Sequence, residues 1–456
     1  MKGILGFLVL VAFLKIVISV TAEEGSILVP MKSVNITVPY NTGRKYFTIP
    51  IQLGTPKKTF NVQIDTSVAT SWVPSTRCRN CGKSTALYNH LDSKTASPTN
   101  QKVELDDENG DVEGFKVQDS IEVSGFKLKE YGFIEVEELD EDFSDHYDGK
   151  LGLGFRGPHG REYNFLSKMK FDGLISKQIV SIEELNSTYG HLLIGDLPVQ
   201  NYKYCNLTFT EDLDDEYRES WVCELSHIGF FDNSTDATLQ LSQTEEITNG
   251  RVDFDSAYDY IAVPIRDLPI FKKNLFDPMG CSSYQTSKTS EDEVVYLCDK
   301  AAINENLTIT FVLQGSGYSI PINDLFIETT TPGKMEFLIR FMNEDDKDII
   351  WTFGYPFMRK FMIIFNMEKR HVGIHSNPKK NTIINMEKDW IVYHQKVVEK
   401  REHERNMFWV IVGCVILVRV LIVVIAYLII RAIRKRSLEQ NGPMIEQENY
   451  NPDRIY

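Results

Sequence analysis

An all-β, bilobal body with few short helices, carried on one C-terminal transmembrane helix, is the fold class this 456-residue sequence predicts. Three observations predict it. Short runs of apolar alternation recur between turn signals, helical periodicity is sparse, and a long apolar block lies near the C-terminus. About 350 residues remain between the two apolar ends, enough for two lobes at ordinary domain sizes.

The ends come first. Residues 1–22 carry Lys2, an apolar run from Ile4 to Leu14, and small residues Thr21 and Ala22 before Glu23, the order expected of a cleaved signal peptide. Residues 23–45 follow as a short prosegment or N-terminal extension. Residues 407–430 are long enough to cross a bilayer, which takes about 20 residues. Arg431, Arg434, Lys435 and Arg436 suit a cytoplasmic flank. Lys396, Lys400, Arg401 and Arg405 precede the block, so the signal peptide sets the orientation: a single-pass type I protein of the secretory pathway. Its ectodomain is expected to be luminal or extracellular, at the cell surface or an endolysosomal membrane. Residues 377–406 read as a polar juxtamembrane stalk with a short helix near 390–398, and residues 431–456 as a polar cytoplasmic tail.

Five N-x-S/T triplets lie between the apolar blocks, at Asn35, Asn186, Asn206, Asn233 and Asn306, as glycosylation of a luminal domain requires. Six cysteines (Cys78, Cys81, Cys205, Cys223, Cys281, Cys298) lie outside the membrane block and Cys414 within it. An even luminal set suggests three disulfides in an oxidising compartment, and their order permits three local pairs. Cys78-Arg79-Asn80-Cys81 follows Trp72-Val73-Pro74 in a strand-rich stretch, so it reads as a hairpin disulfide rather than a redox motif. There is no H-E-x-x-H and no second close cysteine pair, so neither a metal nor a cofactor is expected. A net charge of −15 argues against nucleic acid as a partner.

Within the body, residues 46–53 and 60–64 alternate apolar and polar about the turn Gly54-Thr55-Pro56 and predict a hairpin. Similar runs recur at 120–123, 191–194, 307–313 and 361–365, and helical pattern is confined to 165–170 and 269–275. Asp65 ends the second strand of the hairpin and is followed by Thr66-Ser67, then Ser71-Trp72-Val73-Pro74. Asp255-Ser256-Ala257, followed by Tyr260-Ile261-Ala262-Val263-Pro264, repeats the arrangement about one lobe later. Two lobes each offering one such carboxylate bring a pair together at their junction. Like charges that close do not both ionise readily, so the pair shares a proton and can act on water as general base and acid.

These landmarks make the chain resemble the pepsin-like aspartic proteases over roughly residues 46–375. Asp65-Thr66-Ser67 stands where the family has Asp-Thr-Gly, and Trp72-Val73-Pro74-Ser75 matches its continuation. Asp148-Gly149-Lys150-Leu151-Gly152-Leu153-Gly154 is similar to the Asp-Gly-Ile-Leu-Gly-Leu segment. Asp255-Ser256-Ala257 takes the second Asp-Thr/Ser-Gly place, and Trp351-Thr352-Phe353-Gly354 resembles the closing block. The resemblance implies an N-terminal lobe at 46–205, a C-terminal lobe at 206–376, and a peptide or protein bound in the cleft of a monomer. It implies Asp65 and Asp255 as catalytic dyad, Thr66 and Ser256 as a buried hydroxyl pair locking the two loops, and close loop approach at Gly152 and Gly354. It also implies a C-lobe disulfide from Cys281 and Cys298. Asp253 is a rival for the second position but has no hydroxyl neighbour.

The departures matter as much. Ser67 and Ala257 replace both motif glycines, and Gly tolerates conformations and contacts that a Cβ resists. Val68 and Tyr258 replace small hydroxyl residues expected to bond the carboxylates, each bond being worth about 1 kcal/mol. Residues 103–123 read as the flap hairpin, where the family carries a Tyr directed towards Trp72. Counting back from Gly110 puts Asp107 there, in the acidic run Glu104-Leu105-Asp106-Asp107-Glu108. A flap covers substrate and excludes water, so its loss bears on turnover more than on folding. Residues 23–45 are also too few for the long basic prosegment of pepsins. Two functions follow: a membrane-anchored aspartic endopeptidase, or a catalytically impaired pseudoprotease using the same cleft as a binding module.

Overall fold

The computed structural model describes residues 26–37, 41–81, 86–105, 111–139, 147–155, 163–184, 189–208, 220–232, 240–284, 293–342, 350–376 and 382–440. Strands dominate them, in two large sheets. The hairpin expected around Gly54 is formed by Asn41–Leu53 and Lys58–Asp65, with Ile51 opposite Phe60. Alternation sets which way each strand faces. In Val112–Val123 the positions of Val112, Gly114, Lys116, Val117, Asp119, Ile121 and Val123 are buried, and the residues between them stay partly exposed. The short helix Phe165–Phe171 buries Phe165, Leu166 and Met169, and Asn164 caps it by accepting from the Ser167 amide.

Each lobe contains one parallel strand pair that matters for the site. Lys150–Gly152 runs parallel to Lys58–Asp65, placing Gly152 opposite Asp65. Trp351–Phe353 runs parallel to Arg251–Phe254, placing Phe353 opposite Phe254. Around the second pair, Phe254, Phe311, Phe353 and Phe357 form a buried aromatic cluster with ring centroids 4.1–5.9 Å apart.

The sheets do not follow the simple division at residue 205. Phe361–Asn366 pairs with Ile179–Glu184, and His371–Ser376 then pairs with Lys203–Asn206. The last strands of the family-like region thus complete a sheet begun by the first half of the chain. Ser26–Thr37, in the expected N-terminal extension, joins the same sheet beside Tyr189–Ile194.

Two expectations about the region before the membrane block need correction. Thr382–Asn385, placed in the stalk, is a strand paired with Ser316–Pro321, because its β-branched Thr382, Ile383 and Ile384 suit an edge strand and Ile383 packs on the core. The separate short helix near 390–398 is instead part of one 54-residue helix, Glu387–Gln440, since no Pro or helix-ending signal stands between the polar and apolar parts. It is long and apolar enough to cross a membrane, with a mean hydropathy of 3.0 over its most apolar window. The chain divides into two units, residues 1–387 and 388–456.

The six cysteines form the bonds Cys78–Cys81, Cys205–Cys223 and Cys281–Cys298. Cys205 and Cys223 are wholly buried and 18 residues apart. A closed loop of that size constrains the unfolded chain by about 3 kcal/mol. The double variant Cys205→Ser with Cys223→Ser is therefore expected to lose about 3 kcal/mol in urea unfolding, read from the denaturation midpoint.

Candidate active site

Asp65 sits at the end of a strand anchored by Phe60, Val62 and Ile64, all wholly buried. Asp255 follows the strand Arg251–Phe254, anchored in the same way by Val252 and Phe254. Both carboxylates are therefore presented from rigid strand ends. The loops that carry them are joined by reciprocal hydrogen bonds. The Thr66 amide donates to Ser256 Oγ at 3.1 Å, and the Ser256 amide donates to Thr66 Oγ1 at 3.0 Å. The hydroxyls then donate across the junction, Thr66 Oγ1 to the Phe254 carbonyl at 3.1 Å and Ser256 Oγ to the Ile64 carbonyl at 2.7 Å. Gln63 Nε2 adds a further link to the Ala257 carbonyl at 3.1 Å.

The crossing loops approach as closely as the motif glycines suggest. A Cβ on Gly152 would lie 2.6 Å from the Ala69 carbonyl carbon, and one on Gly354 would lie 2.2 Å from the Tyr260 oxygen. Those contacts are with backbone, which has no rotamer by which to yield.

The replaced motif glycines turn out differently from the strain their Cβ atoms suggest. Neither Ser67 nor Ala257 takes a positive φ. The Ser67 amide still donates to Asp65 Oδ1 at 2.9 Å, and the Ala257 amide to Asp255 Oδ1 at 2.8 Å. Ser67 Oγ supplies an extra donor to Asp65 Oδ1 at 2.7 Å, and the Val68 amide a third at 3.1 Å. The Tyr258 carbonyl accepts from the Tyr355 amide, and its ring meets Tyr260.

The two carboxyls consequently have unequal surroundings. Burial, then the charges of Asp65 and Asp253, push the Asp255 carboxyl well above the usual carboxylate range; the Ala257 amide and the Lys150 ammonium oppose this without reversing it. Asp253, the rival position, is buried at the strand and accepts from the Phe254 amide at 2.9 Å. It is Asp255 whose neighbour Ser256 reaches the Asp65 loop.

Trp72 is buried in a cluster with Val103 and Val112, which belong to the two strands of the expected flap, and with Tyr147. The strands Ser97–Leu105 and Val112–Val123 pair as a hairpin, with Leu105 opposite Val112. Asp107 and Gly110 lie outside the described residues. Of the glycosylation candidates, Asn206 and Asn306 are exposed, Asn35 lies in the strand Ser26–Thr37, and Asn186 and Asn233 fall outside the described residues.

Sequence reasoning missed Lys150. Its side chain is wholly buried, and its Nζ lies 3.2 Å from Asp65 Oδ2. The signal was present: a lysine stands where the resembling segment has an isoleucine, inside Lys150–Gly152, where every residue is buried.

Comparison with known proteins agrees with this architecture. A family model described as eukaryotic aspartyl protease matches residues 45–377. Plasmepsin IV of Plasmodium falciparum (isolate 3D7) is 27% identical over 332 residues, 71% of this chain and 67% of the relative. Renin of Canis lupus familiaris is 24% identical over 339 residues, covering 71% and 77% of the two chains. Cathepsin D of Dictyostelium discoideum is 24% identical over 343 residues, covering 71% and 81%. With the family model spanning well over half of its length, and with two strand-end aspartates joined by a Thr–Ser hydrogen-bond pair, the chain belongs to the pepsin-like eukaryotic aspartyl proteases.

Proposed function

We propose that the chain is a membrane-anchored aspartic-type endopeptidase in which Asp65 and Asp255 activate water against a peptide bond in the interlobe cleft. The observation that carries this reading is the reciprocal Thr66–Ser256 bonding, which draws the two Asp loops together. One carboxylate accepts a proton from the attacking water while the protonated partner donates to the substrate carbonyl. The Asp255 carboxyl, raised by burial and by its anionic neighbours, suits the proton-bearing role. Three disulfides and the family fit the secretory pathway, and the helix Glu387–Gln440 supplies one candidate span. In this reading residues 1–22 are a signal peptide, the body lies on the luminal side as a monomer, and exposed Asn206 and Asn306 are open to glycosylation.

A second reading has its own observations. Val68 has no hydroxyl, Tyr258 puts a bulky phenol where the family has a small hydroxyl residue, and a lysine ammonium faces Asp65. These features suit a pseudoprotease that binds a peptide or protein in the same cleft without hydrolysis. The full-length protein in detergent micelles, incubated with a mixed peptide library from acidic to neutral pH and read by mass spectrometry, separates the two. Cleavage that disappears in both Asp65→Asn and Asp255→Asn is the expected result. Intact peptides from the folded protein at every pH would reject the endopeptidase.

A further inference from the structure

Lys150 and Asp65 are both wholly buried, yet one is a cation and the other an acid. Burying two charges costs several kcal/mol each before their attraction is counted, so such a pair is weak evidence of a merely structural role. Its position is more informative. Lys150 stands opposite Gln63 in the parallel pair with Lys58–Asp65, two residues before Asp65 in register, and its ammonium reaches along the strand to the carboxylate. The contact is one of charge, because among the described residues none donates a hydrogen bond to Asp65 Oδ2.

The other carboxylate oxygen completes the picture. Asp65 Oδ1 accepts from the Ser67 amide, the Ser67 hydroxyl and the Val68 amide. Both oxygens are thus provided for in the ionised form, three donors on one and a cation on the other. Among the described residues Asp255 receives one donor, the Ala257 amide, and it shares its surroundings with the charges of Asp65 and Asp253. A dyad in the abstract can carry its proton on either member. Here the cation stands at one member, and the other is the poorer place for a negative charge.

We infer that Lys150 is a positioning residue that assigns the dyad its roles: Asp65 ionised, as the base that takes a proton from water, and Asp255 protonated, as the acid. The inference deepens the endopeptidase reading and depends on it for the word base, but the placement of the proton stands apart from turnover. The ammonium lies 3.2 Å from Asp65 of its own lobe and also acts on Asp255 of the other, whose remaining charged neighbour is Asp253. The strands flanking Lys150 present neutral residues at its register, Gln63 on one side and Trp72 on the other.

A positive charge beside two carboxylates favours their ionised forms, so its removal moves both limbs of a bell-shaped pH–rate profile upward. The test uses the full-length protein in detergent micelles, with kcat/KM measured on a fluorogenic peptide across pH for wild type, Lys150→Met and Lys150→Arg. Expected is a bell moved to higher pH in Lys150→Met by about 1 unit or more, with the profile held near wild type in Lys150→Arg. A folded Lys150→Met variant with an unmoved bell would show a structural lysine and overturn the inference. So would turnover appearing in Lys150→Met and absent from wild type, which would make Lys150 a lock.

Infrared difference spectra of the protonated carboxyl band give the second arm, which needs neither turnover nor a Lys150 variant. In the acidic range the band is expected in wild type and to be missing in Asp255→Asn. A band retained in Asp255→Asn would overturn the assignment whether or not the protein cleaves peptides. The expected pattern in a protein that cleaves nothing would retain the proton placement and reject only the endopeptidase.

Discussion

Asp65→Asn will unfold at a lower urea concentration than Asp255→Asn, although both variants lose peptide hydrolysis. The loss of a general acid or base is worth about 10²–10⁴-fold in rate, and it should be comparable for the two. Their stabilities should not be. Asp65→Asn leaves the wholly buried Lys150 ammonium facing a neutral amide, and removing one partner of a buried ion pair costs about 3–5 kcal/mol. Asp255→Asn replaces a carboxyl that is already favoured in its neutral form by an amide of the same shape.

The same asymmetry has a pH signature. A carboxyl whose folded pKa is raised binds its proton more tightly in the folded state than in the unfolded one. Between the unfolded value, about 3.9, and the raised folded value, the folded state therefore holds more protons, and stability falls as pH rises. The slope contributed by one such group is at most about 1.4 kcal/mol per pH unit. Stability measured by urea unfolding should lose this component in Asp255→Asn, which becomes more stable relative to wild type as pH rises from about 4 towards neutrality. Equal stabilities for the two Asn variants near neutral pH would contradict the ion pair at Asp65.

Thr66→Val is expected to cost nearly as much without altering a single charge. Thr66 Oγ1 donates to the Phe254 carbonyl and accepts from the Ser256 amide, both inside the junction of the two loops. Valine keeps the shape but leaves a buried carbonyl and a buried amide unpaired. Each unsatisfied group costs roughly 1–3 kcal/mol, so a loss of about 2–6 kcal/mol is expected for the two, with an unchanged urea m-value. Thr66→Ser retains the hydroxyl and should recover most of it. Turnover in Thr66→Val should fall further than stability alone explains, because the same two bonds set the spacing of the carboxylates. A variant as stable and as active as wild type would remove the Thr–Ser pair from its organising role.

The parts of this site that were legible in the sequence are those encoded locally. An acid at the end of an apolar strand, followed by a hydroxyl residue, can be read from four or five neighbours. The close approach at Gly152 and Gly354 follows from glycine where a Cβ meets backbone at 2.6 and 2.2 Å. Lys150 was not legible in the same way. Its strand is three residues long, too short for periodicity to assign a face, and its partner lies 85 positions away in the sequence. Arg340 escaped for a similar reason: it is buried against Glu293 at 2.6 Å and Glu336 at 3.6 Å, with its guanidinium over the Tyr260 ring. The edge strand Thr382–Asn385 was hidden by its polar flanks, since composition averaged over the segment outweighed four residues of β-branched pattern.

The pairing of Phe361–Asn366 with Ile179–Glu184 also fixes an order of events during synthesis. Ile179–Glu184 emerges from the ribosome long before its partner exists. At about 5–20 residues per second the delay is on the order of tens of seconds. Through that interval the first half of the chain holds an unpaired strand edge, which is a template for pairing with other chains. Closure waits for contacts of long sequence separation, which are slow to form. A half-built sheet must therefore persist until residue 366 has arrived, and a truncation before residue 361 would leave that edge permanently open.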